Sequence, residues 1–323
     1  MAVARAKPEP APLVQAIGVR KYFYSKPSLL ARKLAGQETR ITKAVDGVDL
    51  YVGHGETLGL VGESGCGKST LGRLLVGLYT PTAGEVIYEE GTRKTGQMIF
   101  QNPYASLNPR HTVRQILGNA LERRGVPFQD REAESVSLLE RVGLAAAHLD
   151  QFPRQFSGGQ RQRIGIARAL AMQPSFIVAD EPVSALDVSV QAQILNLLQR
   201  LQAESNVSFL LVSHDLAVVH HISHRVSVMY LGKIVETGPT ESLFEEPLHP
   251  YTRALLSAIP RIGDGGTSRI HLQGTVPSAA DPPKGCRFST RCPNKLAICS
   301  DVEPEPWSAR GCSRHVVWCH LYS

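Results

Sequence analysis

The chain has 323 residues, a formal charge of +6 and 42% hydrophobic residues, enough to bury one large core and still carry an appendage. That composition excludes a disordered chain, and the most apolar runs, such as 58–61 and 209–212, are far too short to span a bilayer. The positive balance is modest for the length and does not by itself point to nucleic acid.

Residues 1–12 are Ala/Pro-rich and charged, without the apolar stretch of an export signal, and are expected to form a loose leader. A first strand is predicted at 14–19, followed by an aromatic patch, Tyr22, Phe23 and Tyr24. A polar, basic stretch at 25–42 separates it from 44–52, which alternates like a strand. The short apolar run 57–61 stops at glycine. Beyond it, Leu71, Leu74, Leu75 and Leu78 fall on one helical stripe. Residues 112–171 are helical in period, with polar interruptions. Two buried-strand runs, 176–179 and 207–212, then bracket a helix predicted at 188–204. Such alternation predicts an α/β fold with a mostly parallel core sheet covered by helices. Strand character returns at 225–236, and Pro and Gly thicken between 261 and 285 as in a linker. The expected organisation is therefore a leader (1–12), a main domain (13–260), and a linker with a cysteine-rich region (261–323) too short to hold a core unaided.

Gly62-Glu63-Ser64-Gly65-Cys66-Gly67-Lys68-Ser69 matches G-x-x-x-x-G-K-[ST], after a buried strand and before an amphipathic helix. Glycines let successive N–H groups wrap a phosphate, and the helix N-terminus adds its positive dipole end. Lys68 supplies a point charge for the β/γ-phosphates, the Ser69 hydroxyl can ligate Mg²⁺, and Thr70 completes the candidate loop. Cys66 stands at a variable position and is expected to be tolerated rather than catalytic. The run 176–181 is a strand ending in Asp180 and Glu181. Asp180 is predicted to hold the Mg²⁺ shell and Glu181 to act as general base on the attacking water. Phe156-Ser157-Gly158-Gly159-Gln160 opens a helix predicted at 161–171, a second anion-binding helix N-terminus in the same chain.

This last segment resembles the signature motif of ABC ATPases, usually Leu-Ser-Gly-Gly-Gln, with Phe156 in place of leucine. The resemblance implies a P-loop hydrolase of the ABC class, with an antiparallel β subdomain and a helical signature subdomain at about 103–171. It implies ATP and Mg²⁺ as ligands, with each ATP held between the phosphate loop of one subunit and Ser157, Gly158, Gly159 and Gln160 of another. Gln101 matches the glutamine that senses Mg²⁺ and water, and 102–110 would face the membrane partner. Residues 184–187 match the loop crossing the dimer interface, and His214 the histidine contacting the γ-phosphate. One of Tyr22, Phe23 and Tyr24 should stack on adenine, and spacing favours Phe23. No catalytic position is degenerate.

The segment 249–256, beginning His249-Pro250-Tyr251, closely resembles that of the oligopeptide/dipeptide (and nickel) uptake ATPases, which also share 44–48 and a cysteine-bearing tail. That resemblance covers about 13–320. It implies import of peptides, with nickel or another small solute as the alternative. It further implies two membrane permease subunits, a paralogous second ATPase, an extracytoplasmic binding protein, and a place on the cytoplasmic face of the inner membrane. A soluble ABC ATPase acting on nucleic acid would carry two cassettes or a long coiled-coil insertion, and neither is present. A kinase reading fails on the signature loop. An exporter shares the same core and is opposed only by the tail.

Five of six cysteines crowd the C-terminus. Cys286, Cys292, Cys299 and Cys319 supply four thiolates, enough for a [4Fe–4S] cluster or a structural zinc, with Cys312 as the spare. The absence of a tight C-x2-C pair favours the cluster, as does the resemblance to the peptide-uptake subfamily. Removal of everything after Arg261 is expected to spare nucleotide binding.

Overall fold

The computed structural model describes residues 12–25, 39–89, 96–259, 270–309 and 314–322. The leader up to Ala11, most of the basic stretch, the start of the linker and Cys312 lie outside them.

The first strands, β1 (Pro12–Ser25) and β2 (Arg40–Gly53), are longer than their alternation suggested and pair antiparallel from Pro12 opposite Gly53 to Ser25 opposite Arg40. With β4 (Ala83–Tyr88) on the other side of β1 they make a three-stranded antiparallel sheet. Between them in the chain runs β3 (Thr57–Val61), buried at every residue, which feeds the glycine loop and helix α1 (Lys68–Leu75). This helix ends before Leu78, which is exposed and takes no part in the buried stripe of Leu71, Leu74 and Leu75.

The second sheet follows the order β10 (Pro306–Ser308), β11 (Val316–Trp318), β9 (Lys233–Pro239), β8 (Arg225–Tyr230), β3, β7 (Ser208–Ser213), β6 (Phe176–Asp180) and β5 (Gln97–Ile99). Its centre is parallel: β5, β6, β7, β3 and β8. Strands buried on both faces read as continuous apolar runs, and their alternate residues serve two cores. Phe176 and Val178 join the core under the antiparallel sheet, while Ile177 and Ala179 join the core under the helices.

Those helices fill the predicted helical span as α2 (Pro103–Ser106), α3 (Val113–Arg124), α4 (Arg131–Arg141) and α5 (Gly158–Leu170). Thr112 and Ser157 each open their helix with a reciprocal capping box, which satisfies two otherwise orphaned N–H groups. Helix α6 (Val188–Ser205) links β6 to β7, and α7 (Leu216–Ile222), capped by Asp215, links β7 to β8.

The C-terminal region is not an appendage. After β9 (Lys233–Pro239), α8 (Thr240–Glu245) and α9 (Pro250–Leu256), the chain returns to the sheet. Strand β11 (Val316–Trp318) pairs with β9, and β10 (Pro306–Ser308) pairs with β11, so the tail extends the core sheet. Phe288, Cys286 and Cys299 sit in the same core as α5 and β6. A tail too short for its own core has borrowed the main core, which sequence periodicity has no means of showing.

Candidate nucleotide site and the cysteine-rich module

The phosphate loop, Gln101, the Asp180–Glu181 pair and His214 all follow the carboxyl ends of neighbouring parallel strands β3, β5, β6 and β7. Open parallel sheets bind ligands at that end. Two of the loop glycines are fixed by sterics. A Cβ on Gly62 (φ 152°) would lie 2.1 Å from the Met229 carbonyl oxygen, and one on Gly67 (φ 110°) would lie 2.1 Å from that of Ala44. Gly67 opens α1, whose first N–H groups are unpaired within the helix and free for an anion.

A cavity of about 460 Å³ is lined by Ser64, Gly65, Gly67, Lys68, Ser69, Thr70, Gln101, Glu181 and His214, with Ala44. Lys68 is buried and donates from Nζ to the carbonyl oxygens of Gly62 (2.7 Å) and Glu63 (3.0 Å). The Ser69 hydroxyl donates to Asp180 Oδ1 at 2.8 Å, and burial pushes the Asp180 carboxyl above its ordinary range. A buried carboxylate beside a hydroxyl is a donor set suited to Mg²⁺, a hard cation that prefers oxygen ligands.

Glu181 has φ 46°, the left-handed region that costs a non-glycine residue of order 1–3 kcal/mol. Its N–H is held by the Val212 carbonyl at 2.9 Å, so the backbone turns sharply while anchored to β7. The turn brings Glu181 Oε2 within 2.8 Å of Gln101 Nε2 and 3.3 Å of His214 Nδ1. Gln101, Glu181 and His214 thus converge on one carboxylate oxygen at the cavity rim.

Some candidates lie elsewhere. Gly62 and Cys66 belong to the loop but do not line the cavity: Gly62 backs onto Met229, and the Cys66 thiol is buried in the core under the antiparallel sheet. Burial raises that thiol's pKa, in keeping with a tolerated residue. Phe23 also lies outside the lining; its half-exposed ring packs edge-on against Tyr79 at 5.9 Å. Tyr22 donates its hydroxyl to Asp46, which leaves Phe23 and Tyr24 as the more exposed aromatics. Ser157, Gly158, Gly159 and Gln160 are likewise absent from the lining. Leu186 lies against Gly158 and Val190 against Gly159, where an added Cβ would meet it at 2.4 Å.

The His249-Pro250-Tyr251 segment ties the tail to the core. His249 caps α9, accepting from Tyr251 N–H at 3.0 Å, while its own N–H donates to buried Glu236 at 2.9 Å. Burial lowers the His249 pKa to about 4, so the ring is neutral. The Tyr251 hydroxyl accepts from Glu63 N–H at 2.8 Å, and Arg291 Nη1 donates to the Glu63 carboxylate at 2.8 Å. Sequence reading found neither link, because the partners stand 188 and 228 residues apart with no local pattern joining them.

Cys286, Cys292, Cys299 and Cys319 are free thiols, three buried and Cys292 half-buried. Burial and the neighbouring thiols push Cys286 up to about 11, and burial also raises Cys292 and Cys319. Among the described residues, these four thiols included, no group of three or more His, Cys, Asp or Glu could hold a metal ion.

As chemistry, the cavity is arranged to hold a phosphate chain with a divalent cation and to activate water beside it, which is the work of a phosphate-loop ATPase. Comparison with known proteins narrows the class. The "ABC transporter" family matches residues 45–184, and the "Oligopeptide/dipeptide transporter, C-terminal region" family matches 235–299. The oligopeptide transport ATP-binding protein AppF of Bacillus subtilis is 49% identical over 322 residues, covering 94% of this chain and 96% of its own. The dipeptide transport ATP-binding protein DppF of Escherichia coli is 46% identical, covering 91% and 90%. Among solved structures, the dimeric bacterial ABC transporter cassette MJ0796 is 26% identical with a TM-score of 0.57, over 70% of this chain and 98% of that one. The cbiO1 protein of Clostridium perfringens, at 23% identity, shares the fold with a TM-score of 0.61, over 73% and 91%. This chain belongs to the family of ATP-binding proteins of oligopeptide and dipeptide ABC transporters.

Proposed function

We propose that this chain is the ATP-hydrolysing subunit of a peptide importer, peripheral on the cytoplasmic face of the inner membrane. The observation that carries the peptide assignment is the near full-length likeness to oligopeptide and dipeptide transport proteins, C-terminal region included. No helix among the described residues is long and apolar enough to cross a membrane, so this part of the chain depends on other proteins for passage. Its partners are two permease subunits, a paralogous ATPase and an extracytoplasmic binding protein for di- or oligopeptides.

Lys68 leaves the loop carbonyls for the β/γ-phosphates, and the loop N–H groups wrap them. Mg²⁺, when bound, would supply positive charge to the phosphate oxygens, and Ser69, Asp180 and Gln101 are the residues that would hold it. Glu181 takes a proton from the attacking water, with Gln101 and His214 fixing its carboxylate. Ser157, Gly158, Gly159 and Gln160 close on the nucleotide of the facing subunit, and Phe23 stacks on adenine.

Reconstituted with its permeases, partner ATPase and binding protein, the transporter is expected to accumulate labelled di- or tripeptides in proteoliposomes, dependent on ATP. Uptake of nickel with no peptide uptake would overturn the assignment.

Cys286, Cys292, Cys299 and Cys319 would hold a [4Fe–4S] cluster, which supplies a cross-link for a segment with little core of its own. Chain purified without oxygen is expected to contain about four irons. Stoichiometric zinc without iron would replace the cluster by a structural zinc, and neither metal in fully stable protein would remove the centre.

A further inference from the structure

Glu63 is a variable position of the phosphate loop, yet every polar group it has is engaged. Its carbonyl oxygen accepts from Lys68 Nζ at 3.0 Å and from Cys66 N–H at 3.3 Å. Its remaining groups are taken by the C-terminal region: the N–H by the Tyr251 hydroxyl and the carboxylate by Arg291. The ion pair is shielded, with the Arg291 side chain 9% exposed and that of Glu63 27% exposed. Shielded pairs keep their geometry better than exposed ones, and loss of one partner strands the other.

The two anchors are rigid. Tyr251 is fully buried against Tyr230 (ring centroids 4.7 Å apart) and Phe288 (5.4 Å). Consecutive turns, Ser289 N–H to the Cys286 carbonyl and Arg291 N–H to the Phe288 carbonyl, deliver Phe288 and Arg291 from the same few residues. One short segment therefore buttresses Tyr251 and grips Glu63.

We infer that Arg291 and Tyr251 are positioning residues for ATP binding: from the C-terminal region they hold the Glu63 peptide, and so the phosphate loop, in its nucleotide-ready shape. Gly62, Gly65 and Gly67 all take positive φ and are conformationally permissive, so the orientation of the Glu63 peptide governs where the next N–H groups point. Preorganisation of this kind strengthens binding of ground and transition states alike, and its loss raises KM while sparing kcat. The inference rests on the phosphate loop being the ATP site.

The test uses the full-length chain in the assembled transporter, with MgATP as ligand and Lys68→Ala as the reference for the site itself. Arg291→Ala is expected to raise the Kd and KM for ATP about tenfold with kcat changed less than about twofold. Arg291→Lys should recover most of the affinity, because Lys can make the one contact seen from Nη1. Tyr251→Phe, which keeps the buried ring and deletes the hydroxyl alone, should raise Kd about threefold. Unchanged affinity in Arg291→Ala and Tyr251→Phe, with binding lost in Lys68→Ala, overturns the positioning role alone. Unchanged affinity in all three overturns the site. A fall in kcat at constant KM also overturns the inference, since that pattern belongs to a group acting only in the transition state.

Discussion

Glu181→Gln is expected to lower ATP turnover by about 10²–10⁴-fold, the usual contribution of a positioned general base. Affinity for ATP should stay within about threefold of the parent, because Glu181 lies at the rim beside Gln101 and His214 while the phosphates are held by the loop and α1. The amide is close in size to the carboxylate and can still pair with Gln101, so the strained turn at φ 46° has no reason to collapse. With hydrolysis blocked, ATP should hold two ATPase subunits closed, since Ser157 and its neighbours open a capped helix and do not line the cavity of their own loop. Single-turnover hydrolysis and size-exclusion chromatography with ATP check both points. Undiminished turnover would remove Glu181 from the role of base.

The second large effect reverses an expectation drawn from the sequence. The sequence alone predicts that removing residues 262–323 spares nucleotide binding; the structure predicts instead that the truncated chain is badly destabilised and binds ATP poorly. The cut takes away β10 and β11, exposing the β9 edge, and strips Phe288 and Val317 from the core, at roughly 1.5–3 kcal/mol for each large apolar side chain. It removes His315, whose Nε2 lies 2.8 Å from fully buried Glu236, and Arg287, which pairs with buried Asp46. Removing one partner of a buried pair costs up to about 3–5 kcal/mol, here reduced because Glu236 keeps the Leu248 and His249 N–H groups and Asp46 keeps the Tyr22 hydroxyl. Together these losses rival the whole stability of about 5–15 kcal/mol of an ordinary domain. Thermal unfolding should show Tm lowered by more than about 10 °C, or no cooperative transition at all. A truncated chain with unchanged Tm and ATP affinity would show the tail to be separable.

The cysteine-rich segment is thereby linked to the motor in two ways. It completes the edge of the central sheet, and it grips the phosphate loop through Arg291. If the four thiols hold a centre, whatever fixes the turn around Cys286 and Cys292 also fixes the Phe288 and Arg291 contacts.

What the sequence determined by itself was everything that short-range physics demands in contiguous residues. A phosphate loop needs its glycines, lysine and serine within eight positions of one another, after a buried strand, and that pattern stood intact at 62–69. The Asp180–Glu181 pair and the capped start at Ser157 were legible for the same reason, and α6 was placed to within a residue by its period. The central parallel sheet followed from its apolar runs. Strand ends were less legible: β1 runs on to Ser25 because pairing with β2 sustains it beyond its alternating stretch. Leu78 fits the helical period but falls after α1 has ended at Leu75, because Gly77 (φ 72°) turns the chain out of the helix, a stop the stripe alone does not register.

Only the tertiary structure decided that Glu181 Oε2 receives both Gln101 and His214, that Cys66 faces the core, and that the tail joins the ATPase sheet. The Glu63 contacts are the sharpest case. Tyr251 and Arg291 reach the loop because β9 and the tail wrap back along the sheet, and the hydrogen bonds and charge pairing involved carry no record in residue spacing. Chemistry that lies along the chain can be read from it; chemistry that depends on the chain's return is settled by which strands share an edge.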